Sequence, residues 1–222
     1  MPVFGSGDYS QCGEQLILEQ LINKIKLTKN KFAIEFGASD SSIFSNTKFL
    51  EEKYNCQRLL FDIEPKADNV YKVKITSKNI NYIFSVYQVP RDFDLLSIDI
   101  DGMDYWVLNA LDTITYRPNI IIIEYNPQLE GCITVEENDN YIFDGTIYHG
   151  ASYLAMCRLA ISKNYIPIYN TPLNLIMIRK GIWLNTDIDC MDYVKIASNK
   201  NNFAGSWKPD NLNRKFINVG LE

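Results

Sequence analysis

Short apolar runs alternate with amphipathic segments along the first 180 residues of the chain. Apolar runs of four to eight residues bounded by turn formers predict buried strands, and apolar positions three and four apart predict helices. The predicted strands cover residues 32–36, 58–63, 71–75, 93–98, 119–124, 165–169 and 173–178, and the predicted helices cover residues 10–26, 46–53, 77–86, 104–111 and 151–163. Strands that alternate with helices indicate a parallel sheet with right-handed crossovers.

The pattern therefore predicts an α/β fold, a three-layer sandwich around a mostly parallel seven-stranded sheet. The last two strands follow each other closely, which indicates an antiparallel edge. Residues 1–180 form the predicted domain, and residues 181–222 form a polar C-terminal extension that packs on it or is partly flexible. Within that extension, residues 187–193 resemble residues 99–105 but lack the preceding strand and the glycine, so we interpret the similarity as coincidence. Residues 127–150 are irregular and polar, which is typical of a lid or substrate loop.

Composition excludes several classes of protein. The 222 residues carry a net charge of −5 without a block of Lys or Arg, which argues against a long nucleic acid as partner. No apolar run approaches the roughly 20 residues of a membrane span. The five cysteines are dispersed without a C-x-x-C pair, which argues against disulfides and thiolate zinc sites. With no signal peptide at the N-terminus, we expect the cytoplasm, or a host cytoplasm if the chain is viral.

Carboxylates collect where the predicted strands end, which is the edge at which open α/β sheets bind ligands. Glu35 lies near the end of the first strand, and Gly37 directly follows that strand. Asp62 and Glu64 lie at the end of the second strand, where either could accept hydrogen bonds from ribose hydroxyls. Gly37 would let the backbone approach a nucleoside, although Ser39 and Ser42 replace the other glycines of G-x-G-x-x-G, which argues against NAD and FAD. The most acidic such stretch follows the strand at 93–98 and contains Asp99, Asp101, Gly102 and Asp104.

Two interpretations of these acids remain open. Asp101 and Gly102 could simply form a turn, with Asp104 capping a helix. Alternatively, Asp101, Glu124 and Asn126 offer oxygen ligands for Mg²⁺ or another divalent cation, or the crowded carboxylates raise one pKa and create a general base. A single histidine excludes a histidine-rich zinc site, and that residue, His149, is either a catalytic base or a structural residue beside a helix.

Several motifs resemble the FkbM-type methyltransferases over residues 9–179. Typical members resemble D-x-E-G-x-E where this chain has Asp99, Asp101 and Asp104, so two aspartates replace glutamates. Ser41 likewise replaces the glycine that often follows the aspartate at position 40. The matching motifs are Tyr9-Ser10-Gln11 with Gly13-Glu14, Glu35-Phe36-Gly37-Ala38, Ser45-Asn46-Thr47, Glu64-Pro65, residues 76–81, residues 94–106, Glu124-Tyr125-Asn126-Pro127 and residues 149–152.

The resemblance implies a Rossmann-like class I fold and methyl transfer from S-adenosylmethionine to a hydroxyl of a sugar, a glycan or a small metabolite. It implies cofactor contacts for Glu35, Gly37, Ala38, Asp62, Glu64, Thr76 and Asp99, with Asp101 and Asp104 facing the acceptor. A homo-oligomer is a further expectation. One alternative is an RNA cap 2′-O-methyltransferase, in which Lys31 and Asp99 would begin a set of two lysines and two acids. The other is a degenerate methyltransferase fold that serves as a binding or scaffold subunit.

Overall fold

A computed structural model of the chain describes residues 8–186 and 207–220, so the stretch at 187–193 that resembles residues 99–105 lies outside the described residues. The helices are α1 (Glu14–Ile25), α2 (Lys48–Tyr54), α3 (Ile80–Val86), α4 (Asp104–Ala110), α5 (Tyr153–Ser162) and α6 (Lys180–Trp183). The strands are β1 (Phe32–Phe36), β2 (Gln57–Asp62), β3 (Tyr71–Lys72), β4 (Asp92–Ile98), β5 (Arg117–Glu124), β6 (Ile133–Thr134), β7 (Tyr165–Asn170), β8 (Asn174–Arg179) and β9 (Ile217–Asn218).

Seven strands form one sheet in the order β3-β2-β1-β4-β5-β8-β7. The pairs among β1 to β5 are parallel, whereas β8 runs antiparallel to both of its neighbours, β5 and β7. The predicted mostly parallel seven-stranded sheet with an antiparallel edge is confirmed. From the central strands β1 and β4 the chain proceeds toward opposite edges, and ligands of open α/β sheets bind at such a switch point.

Apolar side chains cover both faces of the sheet, as the run of four isoleucines in β5 illustrates. Successive side chains of a strand point to opposite faces. Ile121 and Ile123 therefore pack in the core under α3, α4 and α5, while Ile120 and Ile122 pack in the core under α1 and α2. All four isoleucines are fully buried, which is typical of a strand covered on both faces.

Two stretches outside the main sheet pack against each other. We call residues 127–150 the wall loop and residues 207–220 the C-terminal segment. Their short strands β6 and β9 pair in antiparallel fashion, and a bridge joins Thr146 to Lys208. The described part of the predicted extension thus packs on the domain. No helix in the two described ranges has the length and apolarity required to cross a membrane.

Candidate active site

A cavity of about 750 Å³ opens at the carboxyl ends of β1, β2 and β4. Its volume is within the range of ligand-binding sites. The wall loop contributes residues 137–139 and 141–143 to one side, which places the predicted lid or substrate loop at the cavity. The other lining residues follow the strands: 35–40, 43–45, 61–64, 66, 73–77, 99–101, 103 and 106, with Gln11 beside them.

Gly37 joins the end of β1 to the end of β4. Its φ of +77° lies in the left-handed region, and a Cβ at this position would be 1.8 Å from the Asp99 carbonyl oxygen. The amides of Gly37 and Ala38 both donate to the Phe61 carbonyl, at 2.9 and 3.1 Å. The structure therefore requires glycine here for packing between strand ends, a reason that differs from the predicted approach of a cofactor.

Glu35 lines the cavity, but its carboxylate is occupied by the chain itself. It accepts hydrogen bonds from Ser45 Oγ (2.7 Å), the Asn46 amide (2.8 Å) and Thr47 Oγ1 (2.5 Å). Arg58 completes the buried group with an ion pair to Glu35 at 3.3 Å. Glu35 therefore holds the Ser45-Asn46-Thr47 motif in place behind the cavity.

Asp62 and Glu64, which the sequence could not rank for ribose binding, have different surroundings. The Asp62 carboxylate accepts the Ser39 amide at 2.8 Å and the Glu64 amide at 2.7 Å, so it ties two loops together. Glu64 is exposed, lines the cavity and makes no side-chain hydrogen bond with a described residue. Thr76 also lines the cavity, in a turn where its amide donates to Asn79 Oδ1 at 2.7 Å.

Three acids gather at the ends of β4 and β5. Carboxylate oxygens of Asp99, Asp101 and Glu124 lie within 4.8 Å of one another, and Asp99 and Asp101 line the cavity. Burial first, and then the neighbouring acids, raise the pKa of Asp99 and Glu124 well above the ordinary value. Burial and the charge of Asp62 also raise the pKa of Asp101. No described Lys or Arg forms an ion pair with the three, so the cluster is uncompensated.

The turn after β4 separates Asp101 from Asp104. Asp101 adopts a left-handed φ of +57°, an uncommon conformation for a non-glycine residue that recurs at functional sites. Asp104 is fully buried and accepts the amides of Ile100 and Gly102, both at 2.9 Å. Burial raises the pKa of Asp104 to about 6. The Asp104 carboxylate thus caps the turn and does not line the cavity, a position that differs from the predicted one facing the acceptor.

Asn126 does not join the acidic cluster, contrary to the predicted metal set. Its side chain is fully buried and its Nδ2 donates to the carbonyls of Ile147 and His149, at 3.0 and 3.1 Å. Its Oδ1 accepts the Gln128 amide at 3.0 Å. Asn126 therefore stabilises the wall loop, and Asp99 takes the place predicted for it beside Asp101 and Glu124.

His149 lies in the wall loop and outside the cavity lining. Its Nδ1 is 2.9 Å from the Thr146 carbonyl, and its ring packs between Phe143 and Trp207. Burial lowers the pKa of His149. The structural alternative for His149 fits this position, and the catalytic prediction does not, because the imidazole is buried behind the wall.

Arg58 and Tyr141 were not predicted from the sequence. The role of Arg58 could have been predicted, because a cation at the start of a buried strand requires a buried acceptor, here Glu35. The role of Tyr141 could not, because its contact with Gly102 joins residues far apart along the chain. The RNA cap alternative requires Lys31 and Asp99 to lie in one site. Lys31 precedes β1 and therefore lies at the opposite end of the sheet from Asp99.

The sheet order and the cavity at the switch point define a Rossmann-like ligand-binding fold. Residues 19–142, more than half of the chain, match the family model described as Methyltransferase FkbM domain. The chain belongs to this methyltransferase family.

Two solved structures are similar to the chain at low identity. One is a 1,6-didemethyltoxoflavin-N1-methyltransferase of Burkholderia thailandensis with bound 1,6-didemethyltoxoflavin and S-adenosylhomocysteine, at 11% identity and a TM-score of 0.47, covering 75% of this chain and 76% of that one. The other is the CMeT domain of the citrinin polyketide synthase, at 12% identity and a TM-score of 0.40, covering 75% of this chain and 51% of that one. Among curated proteins, none matches the chain.

Proposed function

We propose that the chain is an S-adenosylmethionine-dependent O-methyltransferase that acts on a hydroxyl of a sugar, a glycan or another small metabolite. One observation carries the proposal: in a member of the FkbM family, a single ligand-sized cavity at the switch point is lined by both Glu64 and Asp101. In this proposal Glu64 binds the nucleoside and Asp101 receives the proton of the reacting hydroxyl.

The residues around the cavity suit this cofactor. S-Adenosylmethionine supplies a methyl group on a positively charged sulfur when it is bound. Glu64, exposed and without a described partner, accepts the ribose hydroxyls, and Gly37, Ala38 and Thr76 form the walls beside it. Asp99 provides the negative charge that favours a cation in the cavity. Glu35 and Asp62 contribute by holding the loops that carry these residues.

Asp101 acts as the general base. It is the exposed member of the acidic cluster, and its raised pKa makes it a better proton acceptor than an ordinary aspartate. Its carboxylate would take the proton of the acceptor hydroxyl while that oxygen forms its bond to the methyl carbon. The bond between that carbon and the cofactor sulfur would break with its electrons going to sulfur, and S-adenosylhomocysteine would leave. A positioned base contributes about 10²–10⁴-fold, and positioning of the two reactants supplies much of the remainder.

The same three acids also suit a divalent cation. Oxygens of Asp99, Asp101 and Glu124 lie within 4.8 Å of one another, and carboxylates are ligands that Mg²⁺ and Ca²⁺ prefer. Removal of divalent ions with EDTA during turnover separates the two modes. If turnover is unchanged by EDTA, Asp101 alone removes the proton. If turnover falls and added Mg²⁺ restores it, a metal contributes part of the rate.

Calorimetric titration with S-adenosylmethionine and S-adenosylhomocysteine tests the proposal. We expect binding by the unmodified chain and about tenfold weaker binding by Glu64→Ala, because charged hydrogen bonds to the ribose are lost. Asp68→Ala is the matched control, since Asp68 is an exposed acid of the same loop outside the cavity lining. No binding at millimolar cofactor would refute the enzyme and favour a scaffold subunit.

A further inference from the structure

The C-terminal segment holds the wall loop through backbone hydrogen bonds. The Ile147 amide donates to the Lys208 carbonyl at 2.8 Å, and the Lys208 amide donates to the Gly145 carbonyl at 3.1 Å. At the other end of the segment, the Val219 amide donates to the Cys132 carbonyl at 2.9 Å. The family match ends at residue 142, so this segment lies outside the matched domain.

Arg214 of this segment contacts three residues of the wall loop through its side chain. One guanidinium nitrogen, Nη2, lies 2.7 Å from the Asp144 carboxylate and 2.9 Å from Thr146 Oγ1. Asp210 binds the same guanidinium within the segment at 2.9 Å. The guanidinium carbon is 4.3 Å from the centre of the Tyr148 ring, which is cation–π geometry. Arg214 therefore binds two polar side chains of the loop and packs on the Tyr148 ring.

Tyr148 in turn holds Tyr141, which forms part of the cavity wall. The Tyr141 hydroxyl donates to the Tyr148 carbonyl at 2.7 Å. The Tyr141 ring fills the space beside Gly102, where an added Cβ would be 2.2 Å from a ring carbon. The Gly150 amide also donates to the Gly102 carbonyl at 3.2 Å. Gly102 directly follows Asp101, so a continuous set of contacts joins Arg214 to the catalytic turn.

We propose that Arg214 is a positioning residue that holds Tyr141 against Gly102 and thereby fixes the Asp101 carboxylate at the cavity. The inference rests on the proposed function, in which Asp101 is the base. The left-handed conformation of Asp101 supports it, because such backbone geometry persists only where the surroundings impose it. Tyr141 and Gly150 are the contacts that impose it from the wall loop.

Arg117 provides a matched control. Its guanidinium binds Asp92 at 3.0 and 2.6 Å, and its side chain is 34% exposed against 26% for Arg214. It lies at the start of β5, at the opposite end of the sheet from the cavity. Arg214→Met and Arg117→Met each remove a guanidinium group from a similar ion pair. A difference between the effects of the two variants therefore reflects the location of Arg214 beside the wall loop and not the loss of an ion pair as such.

Hydrogen exchange of the full chain, followed by mass spectrometry, tests the path. The amides of Ile100 and Gly102 are protected by Asp104, so the peptide containing them reports the turn. We expect Arg214→Met to raise its exchange rate about tenfold and Arg117→Met to leave it unchanged. Equal rates in the two variants would overturn the inference, as would faster exchange confined to residues 207–220.

A spectroscopic measurement keeps the test valid if Arg214→Met fails to fold. Trp106 lines the cavity and its Nε1 donates to the Val135 carbonyl of the wall loop at 2.9 Å. In protein labelled with 5-fluorotryptophan, Arg214→Lys, which keeps the charge but loses the planar contact, should shift the Trp106 signal and leave Trp183 unchanged. An unshifted Trp106 signal would count against the inference.

S-Adenosylhomocysteine binding separates this inference from the proposed function. Both variants should bind it within about threefold of the unmodified chain, since the cofactor residues Glu64 and Thr76 lie outside the wall loop. If the unmodified chain does not bind it, the proposed function fails. The exchange rate of residues 99–104 then still decides whether Arg214 positions the turn.

Discussion

Strand β4 carries acids at both of its ends, and the two ends surround them differently. At its start, Asp92 is bound by Arg117 at 2.6 Å and by Arg179 at 3.1 Å, and the hydrogen bond from Arg117 lowers the pKa of Asp92. At its end, Asp99 and Asp101 lie beside another acid without an ion pair to any described cation, and burial raises the pKa of both.

The difference separates acids that stabilise the fold from acids available for chemistry. A carboxylate with cationic partners stabilises the folded chain in its charged form. Crowded carboxylates with raised pKa values oppose folding at neutral pH, so such a cluster beside a cavity indicates a role other than stability. The end of β4 coincides with the cavity, and its start does not. The contrast is consistent with the proposed catalytic role at the end of β4 and with a stabilising role at its start.

Asp101→Asn should give the largest effect on activity. Methyl transfer should fall by about 10²–10⁴-fold because the base is removed, while S-adenosylmethionine affinity stays within about threefold. Asp92→Asn makes the same chemical change at the other end of the strand and should leave transfer unchanged. Radiolabelled methyl incorporation measures the rate, and calorimetry measures the affinity. A parallel loss of rate and cofactor affinity in Asp101→Asn would mean that Asp101 is structural.

Gly37→Ala should give the largest effect on stability. The new Cβ would lie 1.8 Å from the Asp99 carbonyl oxygen, so the end of β4 must move, at a cost of about 3 kcal/mol or more. Gly13→Ala is the control, because Gly13 has a similar φ of +83° but nothing within 4 Å. It should cost about 1 kcal/mol. Urea unfolding measures the free energy of unfolding of both variants. Equal losses in Gly37→Ala and Gly13→Ala would contradict a packing requirement for glycine at position 37.

Asp99→Asn should stabilise the chain at pH 8, by about 1 kcal/mol. The folded-state pKa of Asp99 is raised, so the folded chain binds the proton more tightly than the unfolded chain does. The free energy of unfolding therefore falls as the pH rises from the unfolded pKa, near 4, to the folded pKa. Urea unfolding at pH 4 and pH 8 should show the gain only at pH 8. A gain at both values would exclude charge as its cause.

Asp92→Asn should have the smallest effect and the opposite sign, a loss of about 0.5 kcal/mol at pH 7. The pKa of Asp92 is lowered in the folded chain, so its contribution is present above the unfolded pKa and disappears as the pH falls through the folded value. The side chain is 38% exposed, which keeps the contribution small and sensitive to salt. Unfolding curves at low and high salt measure it, and a salt-independent loss would contradict an ionic origin.

The seven-stranded sheet could be predicted from the sequence, whereas the separate pair of strands β6 and β9 could not. A continuous apolar run such as that of β5, bounded by polar residues, indicates a buried strand from the local pattern alone. The strands β6 and β9 contain two residues each and pair across more than 80 positions of the chain. Nothing in their local pattern distinguishes them from a loop. For the same reason, the contact between the C-terminal segment and the wall loop was not predicted.

The candidate site divides in the same way. Glu64, Asp99 and Asp101 were predicted at the cavity because strand ends meet at one edge of a parallel sheet. Asp104 and Asn126 have suitable residue types beside the same strand ends, yet their side chains bind backbone groups instead. Residue type states which chemistry a side chain can perform, but not which neighbour it contacts.

The sequence by itself determined the α/β architecture, the edge of the sheet that carries the acids, and the family motifs. The first two depend on local periodicity and on the order of elements, and the motifs depend on residue identity, all of which are readable along the chain. Only the tertiary structure decided that Asp99, Asp101 and Glu124 gather while Asp104 caps a turn. Only it placed the C-terminal segment behind the cavity wall. The physical reason is that side-chain direction and partner depend on contacts between distant parts of the chain, which local pattern does not encode.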